Sequence, residues 1–436
     1  MNSMPGTLAG KFIAAYPWRR LFGMAQTGSL SLVSQGVTSA TNFLSGIIIA
    51  RLCSKEQFGL YALSLSIVLF LNEFQNALIT MPYMIYSPRT GGNDRREYTG
   101  SALVQQFTFS FSASLLLLLS SVIASRGFGP GGLAEVLRVL ALFTVFITLK
   151  DFARQFSFAT LRPRTALLLD LCAAVVQIGS LWLLFRLGSL SASGSFVAIG
   201  VACGVASTVW LVFNRGFFLP KYVRVLPDFL RNWRPARWII ASHLLWTLAM
   251  SLYPWLIGAF HGITANAVWG ACVGAAALGN VILLGAQNVT GPRILYAFAK
   301  GGVAGMKEFV WASSKLLMLI MSGVSVFYLV FGNNLLVLFY GNAYKGDGLT
   351  VFVLTLNLII GSLSFALGRG LFAMERADME CLINAISALA LFALGIWFVR
   401  ALGPLGAGLG LLVTSVISGA VRIAVFRRVT DRLLSE

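Results

Sequence analysis

The sequence predicts an all-α, polytopic membrane protein: about twelve transmembrane helices in two six-helix lobes around a central cavity. Three observations carry that expectation. Twelve apolar stretches of about twenty residues divide the 436-residue chain, each long enough to cross about 30 Å of hydrocarbon as a helix. Hydrophobic residues make up 57% and charged residues 11%, with mean hydropathy +0.81, where a soluble domain would carry roughly a quarter charged residues. Woven through all twelve stretches, the chain places 26 of its 33 Lys and Arg residues on one side. Cytoplasmic segments beside membrane spans are enriched in Lys and Arg, so this split places both termini in the cytoplasm.

The spans run near 30–50, 59–83, 101–124, 134–150, 165–186, 194–214, 238–258, 267–289, 312–337, 349–373, 380–400 and 406–425. Four parts follow: an interfacial cytoplasmic segment 1–28, an N-terminal lobe 29–214 with spans 1–6, a basic connector 215–237, and a C-terminal lobe 238–436 with spans 7–12. Lipid leaves no partner for an unpaired strand, so such long apolar runs are helices. In 1–28, Phe12, Tyr16, Trp18 and Phe22 mix with Lys11, Arg19 and Arg20. That mixture fits a membrane surface, and no apolar core with a small-residue cleavage site marks a signal peptide. The net charge of +18 excludes nucleic acid as its reason, because a basic soluble protein would not be this apolar; it fits anionic lipid headgroups.

Span 1 carries Ser31, Gln35, Thr38, Asn42 and Ser45 in a stripe about 80° wide, with Leu32, Val37, Phe43 and Leu44 opposite. Lipid cannot solvate the stripe, so it faces a helix seam or a hydrated cavity. Span 2 carries Asn72, Glu73, Gln75 and Asn76. Glu73 is the one carboxylate placed well inside a span, and an ionisable residue at that depth points to function. It is expected to carry a proton, bind Na⁺ or a substrate group, or pair with a cation such as Arg51 or Lys55. Asp151 and Asp170 fall near span ends, where a solvated carboxylate is ordinary.

The connector after span 6 is the most basic loop, with Arg215, Lys221, Arg224, Arg231, Arg234 and Arg237. Span 7 presents His243, Trp246, Thr247, Tyr253 and Pro254, and Pro254 is expected to kink or break it. Span 8 offers Asn280, Gln287 and Asn288. The ends of spans 2 and 8 echo each other, Gln75-Asn76 then Thr80-Met81-Pro82 against Gln287-Asn288 then Thr290-Gly291-Pro292, which suggests two related lobes. Arg369 either points into the cavity or marks the end of span 10. Gly270/Gly274 and Gly406/Gly410 are small-residue spacings for close helix packing.

Several chemistries are absent. The five cysteines form no metal or redox spacing, and no metal site is expected. No phosphate-binding G-x-x-x-x-G-K-[ST] loop occurs, so no nucleotide and no cofactor is expected. With two histidines, no nucleophile–base set and short outer loops, transport or scaffolding is favoured and an enzyme is not.

Ala50-Arg51-Leu52-Cys53-Ser54-Lys55-Glu56-Gln57-Phe58-Gly59-Leu60-Tyr61-Ala62 resembles the signature between the first two spans of the polysaccharide-type flippases of the multidrug/oligosaccharidyl-lipid/polysaccharide exporter superfamily. Cys53-Ser54 stands where the family more often has Leu-Gly. In this pattern Arg51 and Lys55 end span 1 and Gly59 is expected to allow a tight reversal. The segment from Phe152-Ala153-Arg154-Gln155 through Leu161-Arg162-Pro163-Arg164 to Asp170 is also similar to the family. The resemblance implies translocation of undecaprenyl-diphosphate-linked oligosaccharide across a bacterial inner membrane for exopolysaccharide, capsule or O-antigen assembly, with a periplasmic-side polymerase and chain-length regulator as partners. Coupling to H⁺, Na⁺ or the membrane potential stays open. So do a cation-coupled drug exporter of the same superfamily, which would often place a carboxylate in span 1, a membrane glycosyltransferase and a non-transporting scaffold. The family supplies no fixed substrate motif. The candidate substrate-contacting residues therefore rest on position: Gln35, Asn42, Arg51, Glu73, Gln75, Asn76, His243, Tyr253, Gln287, Asn288, Arg293 and Arg369, with Arg51 and Arg293 as diphosphate or gate cations.

Overall fold

Each apolar stretch becomes a helix, since only a helix satisfies its own backbone in hydrocarbon. The structure is a computed structural model. It describes residues 18–435 except 88–89, 161 and 375; the side chains of 18–29, 31–32, 85, 234–250, 285–286, 288–289, 292, 295–296, 299 and 377 lie outside the description, as do residues 1–17 of the expected interfacial segment. Helix α1 is Trp18–Leu52. Helix α2 runs Lys55–Gln75, through a π turn Asn76–Thr80, into Met81–Tyr86. Then come α3 Gly92–Ser125, α4 Leu133–Ala159, α5 Pro163–Arg186, α6 Ala192–Asn214 and α7 Tyr222–His261. The stretch Ile263–Tyr340 breaks at Gly302 (φ 57°) into α8, 263–301, and α9, 303–340. Helix α10 is Gly348–Ala373, and Ala377–Ser435 breaks at Gly403 (φ 59°) into α11, 377–402, and α12, 404–435. Among the described residues there is no strand.

The twelve helices form two six-helix lobes. In one, α1 packs on α5, α2 and α6 on α4, α3 on α4 and α5 on α6; in the other, α8 and α9 pack on α10, and α7 and α10 on the α11–α12 pair. By length and composition alone, eight described segments can cross a membrane, Asp378–Ser435 holding two of the twelve spans. Helix α4 is not among them, because Glu135, Arg138, Lys150, Asp151 and Arg154 load it with charge. That excess of charge on a membrane helix is the first structural pointer to the site.

Below, the end of the bundle holding the connector and most cations is called the basic end, and the other the opposite end. At the basic end an aromatic cluster holds the first lobe together. Tyr83 stacks on Tyr98 at 5.8 Å, and Phe156 meets Trp210 edge-on at 5.2 Å. Such pairs add about 0.5–1.5 kcal/mol each beyond area burial.

Two prolines behave differently. Pro82 has no N–H and its ring would collide with the carbonyl one turn back. The π turn absorbs this: the Met81 N–H donates to the Asn76 carbonyl, widening the helix just before Pro82. Pro254 was expected to break span 7, but α7 runs through it as one helix. Tyr253 and Pro254 are both buried there, and a Cβ on Gly395 or Gly410 would crowd the Tyr253 hydroxyl, so packing on α11 and α12 holds the helix together. At the matching place in span 8 the backbone of 287–292 is uninterrupted α-helix, so the echo between spans 2 and 8 does not extend to a shared π turn.

Most of the connector is helical. After a short 3-10 turn, Arg215–Phe217, the first turns of α7 lie along the first lobe. Their covered side is polar: Asn232 accepts from the Tyr98 hydroxyl at 2.9 Å, and Gln105 donates to the Val225 carbonyl at 3.2 Å. Tyr222, Val223, Leu226, Leu230 and Trp233 are left uncovered by protein. An apolar stripe beside Arg224 and Arg231 suits a helix lying in the membrane interface.

Candidate functional site

The polar groups of the first lobe converge on Asp170. Its carboxylate accepts from the Ser34 hydroxyl of α1 at 2.5 Å and pairs with Lys150 at 2.7 Å and Arg154 at 2.9 Å, both from α4. Lys150 and Arg154 are one helical turn apart, so both reach the same acid. Arg154 also donates to the Gln35 side chain at 2.8 Å. The Asp170 side chain is 0% exposed, against 14% for Lys150 and 12% for Arg154. The expectation of a solvated carboxylate near a span end is therefore corrected: Asp170 is fully enclosed. In these ion pairs one enclosed carboxylate holds two cations, and Asp151, beside Lys150 on α4, is a second acid near both.

The same seam continues two turns along. Gln177 of α5 donates to Ser45 of α1 at 2.9 Å, and Ser45 in turn donates to the Thr41 carbonyl. Ser34, Thr41 and Ser45 share one face of α1, and Asp170 and Gln177 share one face of α5. The polar stripe expected on α1 is thus divided. Ser45 belongs to the α1–α5 seam, while Gln35 and Asn42 are left uncovered by protein on the adjoining face.

Helix α2 separates its polar residues in the same manner. Gln75 is buried and donates to the Thr148 carbonyl of α4 at 3.0 Å, which makes it a seam residue and not a cavity one. Asn76 opens the π turn and is half-buried. Glu73 is uncovered by protein and, among the described residues, pairs with no cation, so the expected partnership with Arg51 or Lys55 does not form.

Arg51 and Lys55 act elsewhere. At the opposite end, the Arg51 guanidinium donates to the Phe339 carbonyl at 2.7 Å and to the Leu338 carbonyl, and Lys55 donates to the Ala343 carbonyl at 3.2 Å. These carbonyls lie at and just beyond the end of α9, where a helix leaves them unpaired and the dipole favours a cation. Phe43, on the face opposite the polar stripe, packs edge-on against Phe339 at 5.2 Å, so it belongs to this junction between the lobes. Gly59 sits inside α2, not at a reversal. A Cβ there would overlap the carbonyl oxygen of Ile263, and Asn266 donates to the Gly59 carbonyl at 3.3 Å. Glycine is needed here because two backbones touch across the lobes. Ser54, the departure from the family pattern, caps α2 by accepting from the Gln57 N–H. Nearby, burial pushes the Asp347 carboxyl up from its ordinary range while Lys55 draws it down.

Among the described residues of the second lobe, the candidates do not gather into one cluster. Tyr253 is buried against Trp269 at 5.9 Å, a packing position. His243 and Asn288 have side chains outside the described residues. Gln287 is half-buried, and Arg293 and Arg369 are uncovered, Arg369 over the Phe365 ring at 5.4 Å. An ion pair that composition did not reveal joins α11 and α12: Arg422 grips Glu380 with two bonds, at 3.0 and 2.8 Å. Among the described residues, no group of three or more His, Cys, Asp or Glu side chains could hold a metal ion.

No protein-family model matches the chain, and no curated protein matches it in sequence. Solved structures do match along nearly its whole length. An inward-facing multidrug resistance MATE family transporter of the MOP superfamily superposes with a TM-score of 0.75 at 15% identity, over 93% of this chain and 99% of that one. A MOP superfamily transporter from Pyrococcus furiosus gives 0.64 at 15% identity, over 94% and 96%. The lipid II flippase MurJ, in an inward closed conformation, gives 0.67 at 12% identity, over 90% and 86%. The chain has the fold of these membrane transporters.

Proposed function

We propose that the protein moves undecaprenyl-diphosphate-linked oligosaccharide across a bacterial inner membrane by alternating access, with the basic end in the cytoplasm. The observation that carries this reading is the pair of cations Lys150 and Arg154, gathered on Asp170 beside the uncovered amides Gln35 and Asn42. A diphosphate seeks cations with directed donors, and sugars seek amides and hydroxyls. Arg51 and Gly59 close the far end of the path between the lobes. Rocking of the lobes would open that end and shut the basic one. A polymerase and a chain-length regulator on the far side are the partners this reading implies.

A cation-coupled exporter of small molecules is the competing reading, and the MATE-like fold favours it as much as it favours a flippase. The state of Asp170 argues against it. An acid already held by two cations is poorly placed to take up a third. Reconstituted in liposomes, the protein is expected to carry a fluorescent short-chain diphosphate-linked oligosaccharide between leaflets. Gradient-driven efflux of a cationic dye with no movement of the glycolipid would overturn the proposal.

Glu73 is a carboxylate available for coupling, since it is uncovered and, among the described residues, pairs with no cation. In the same assay Glu73→Gln is expected to cut transport about tenfold or more, the usual scale for losing a proton-transferring group. It should also flatten the response to an imposed pH gradient. Wild-type transport at equal protein level would remove Glu73 from the mechanism.

A further inference from the structure

A second cationic feature lies away from the Asp170 cluster, at the basic end of the first lobe. A cavity of about 470 Å³ opens there between the ends of α2, α3 and α4 and the turn after α6. Arg95, Arg96 and Arg162 line it, together with Tyr83, Thr99 and Phe217. The nearby acids are already engaged. Glu97 holds Lys221 and Arg224, and Asp94 accepts from Arg224 at 2.9 Å. Among the described residues no carboxylate pairs with any of the three lining arginines. Arg162 is set over the Phe217 ring at 4.4 Å, which fixes its guanidinium plane at the wall. The Arg95 Nε donates to Ser87 at 3.3 Å, leaving its remaining donors toward the cavity without an acid.

One helix end adds to this field. Gly92 of α3 lines the cavity, and α3 starts without a side-chain cap, so its first N–H groups lack side-chain acceptors. Such an N-terminus carries partial positive charge and free donors. Three arginines and this helix end around one cavity form a site for a multiply charged oxyanion, and the fork geometry of guanidinium matches phosphate.

We propose that this cavity binds a phosphate group bearing about two negative charges, independently of the path between the lobes. Its height favours a membrane lipid as the source. The apolar stripe Tyr222–Trp233 on the adjoining turns of α7 marks the interface level, and Arg224 ties those turns to Asp94 and Glu97 beside the cavity. Phosphatidic acid, a phosphate monoester that carries up to two charges, has its headgroup at that level. A soluble phosphate or diphosphate would satisfy the same donors.

The test uses the full chain in detergent with a fluorescent short-chain phosphatidic acid as probe, and unlabelled short-chain phosphatidic acid, short-chain phosphatidylcholine and sodium pyrophosphate as competitors. The wild type is expected to bind the probe saturably, with phosphatidylcholine failing to displace it. Each arginine is expected to contribute about fivefold in affinity, the scale of one basic residue at a charged membrane surface. The triple variant Arg95→Gln/Arg96→Gln/Arg162→Gln should then lose about a hundredfold. Replacing all three by Lys should restore part of the binding, and Arg126→Gln/Arg186→Gln, at the opposite end, should leave it unchanged. Displacement by phosphatidic acid but not by pyrophosphate assigns the site to a lipid; displacement by pyrophosphate assigns it to a soluble phosphate. Equal binding by wild type and the Gln triple variant, with both melting alike, overturns the site. Because liposome transport of the glycolipid is a separate readout, failure of the flippase reading leaves this result standing.

Discussion

Asp170→Ala is expected to abolish accumulation of folded protein. The substitution leaves Lys150 and Arg154 facing a vacated, enclosed position, with Ser34 also without its acceptor. Removing one partner of a buried ion pair costs about 3–5 kcal/mol, and here two cations lose it together. That is a large fraction of the roughly 5–15 kcal/mol that holds a typical fold. The measurement is monodisperse yield and melting temperature in detergent. Asp170→Asn keeps the shape and should fall between the two. The informative variant is the charge-compensated one, Asp170→Asn/Lys150→Met/Arg154→Gln. Removing the cations removes their unpaired burial, so much of the stability should return. If it folds but no longer moves the glycolipid, the positive charge serves transport as well as architecture. Wild-type yield and melting for Asp170→Ala would show that the acid holds nothing together.

What could be read from sequence follows from what periodicity can encode. Span count, helix type and charge asymmetry depend on local composition, and each of the twelve spans appears where its apolar run lies. Partnerships are different, because they depend on which helices become neighbours. Asp170 and Gln177 are seven residues apart on α5, Lys150 and Arg154 four apart on α4, and Ser34, Thr41 and Ser45 repeat at seven and four on α1. Each spacing puts its residues on one helix face, but only the fold brings the three faces together. Gln75 shows the converse: a carboxamide in a span looks the same from sequence whether it lines a cavity or, as here, bonds a neighbour's backbone. Pro254 departs from its local tendency to break a helix for the same reason, since packing by α11 and α12 decides its role.

Gly59→Val is expected to prevent the lobes from meeting at the end opposite the connector. A Cβ at this position overlaps the Ile263 carbonyl oxygen, and that atom belongs to the backbone at the start of α8, where no rotamer change can move it aside. The shortest relief is separation of the lobes. Overpacking where neighbours can adjust costs about 1–3 kcal/mol, and a backbone obstacle places Gly59→Val toward the top of that range. About 2 kcal/mol would shift a two-state population about thirtyfold. Arg51→Ala should do less, because its bonds are exposed and water can replace them. A cysteine at Ala62, which faces Gly270 across the same junction, reports the state. In a background free of other cysteines, a membrane-impermeant maleimide should label Ala62→Cys slowly in the parent. With Gly59→Val added, labelling should become fast, while glycolipid transport stops. The melting temperature should fall only slightly, since each lobe keeps its own core. Slow labelling together with normal transport would mean that the two backbones part without consequence and that this contact is not the gate.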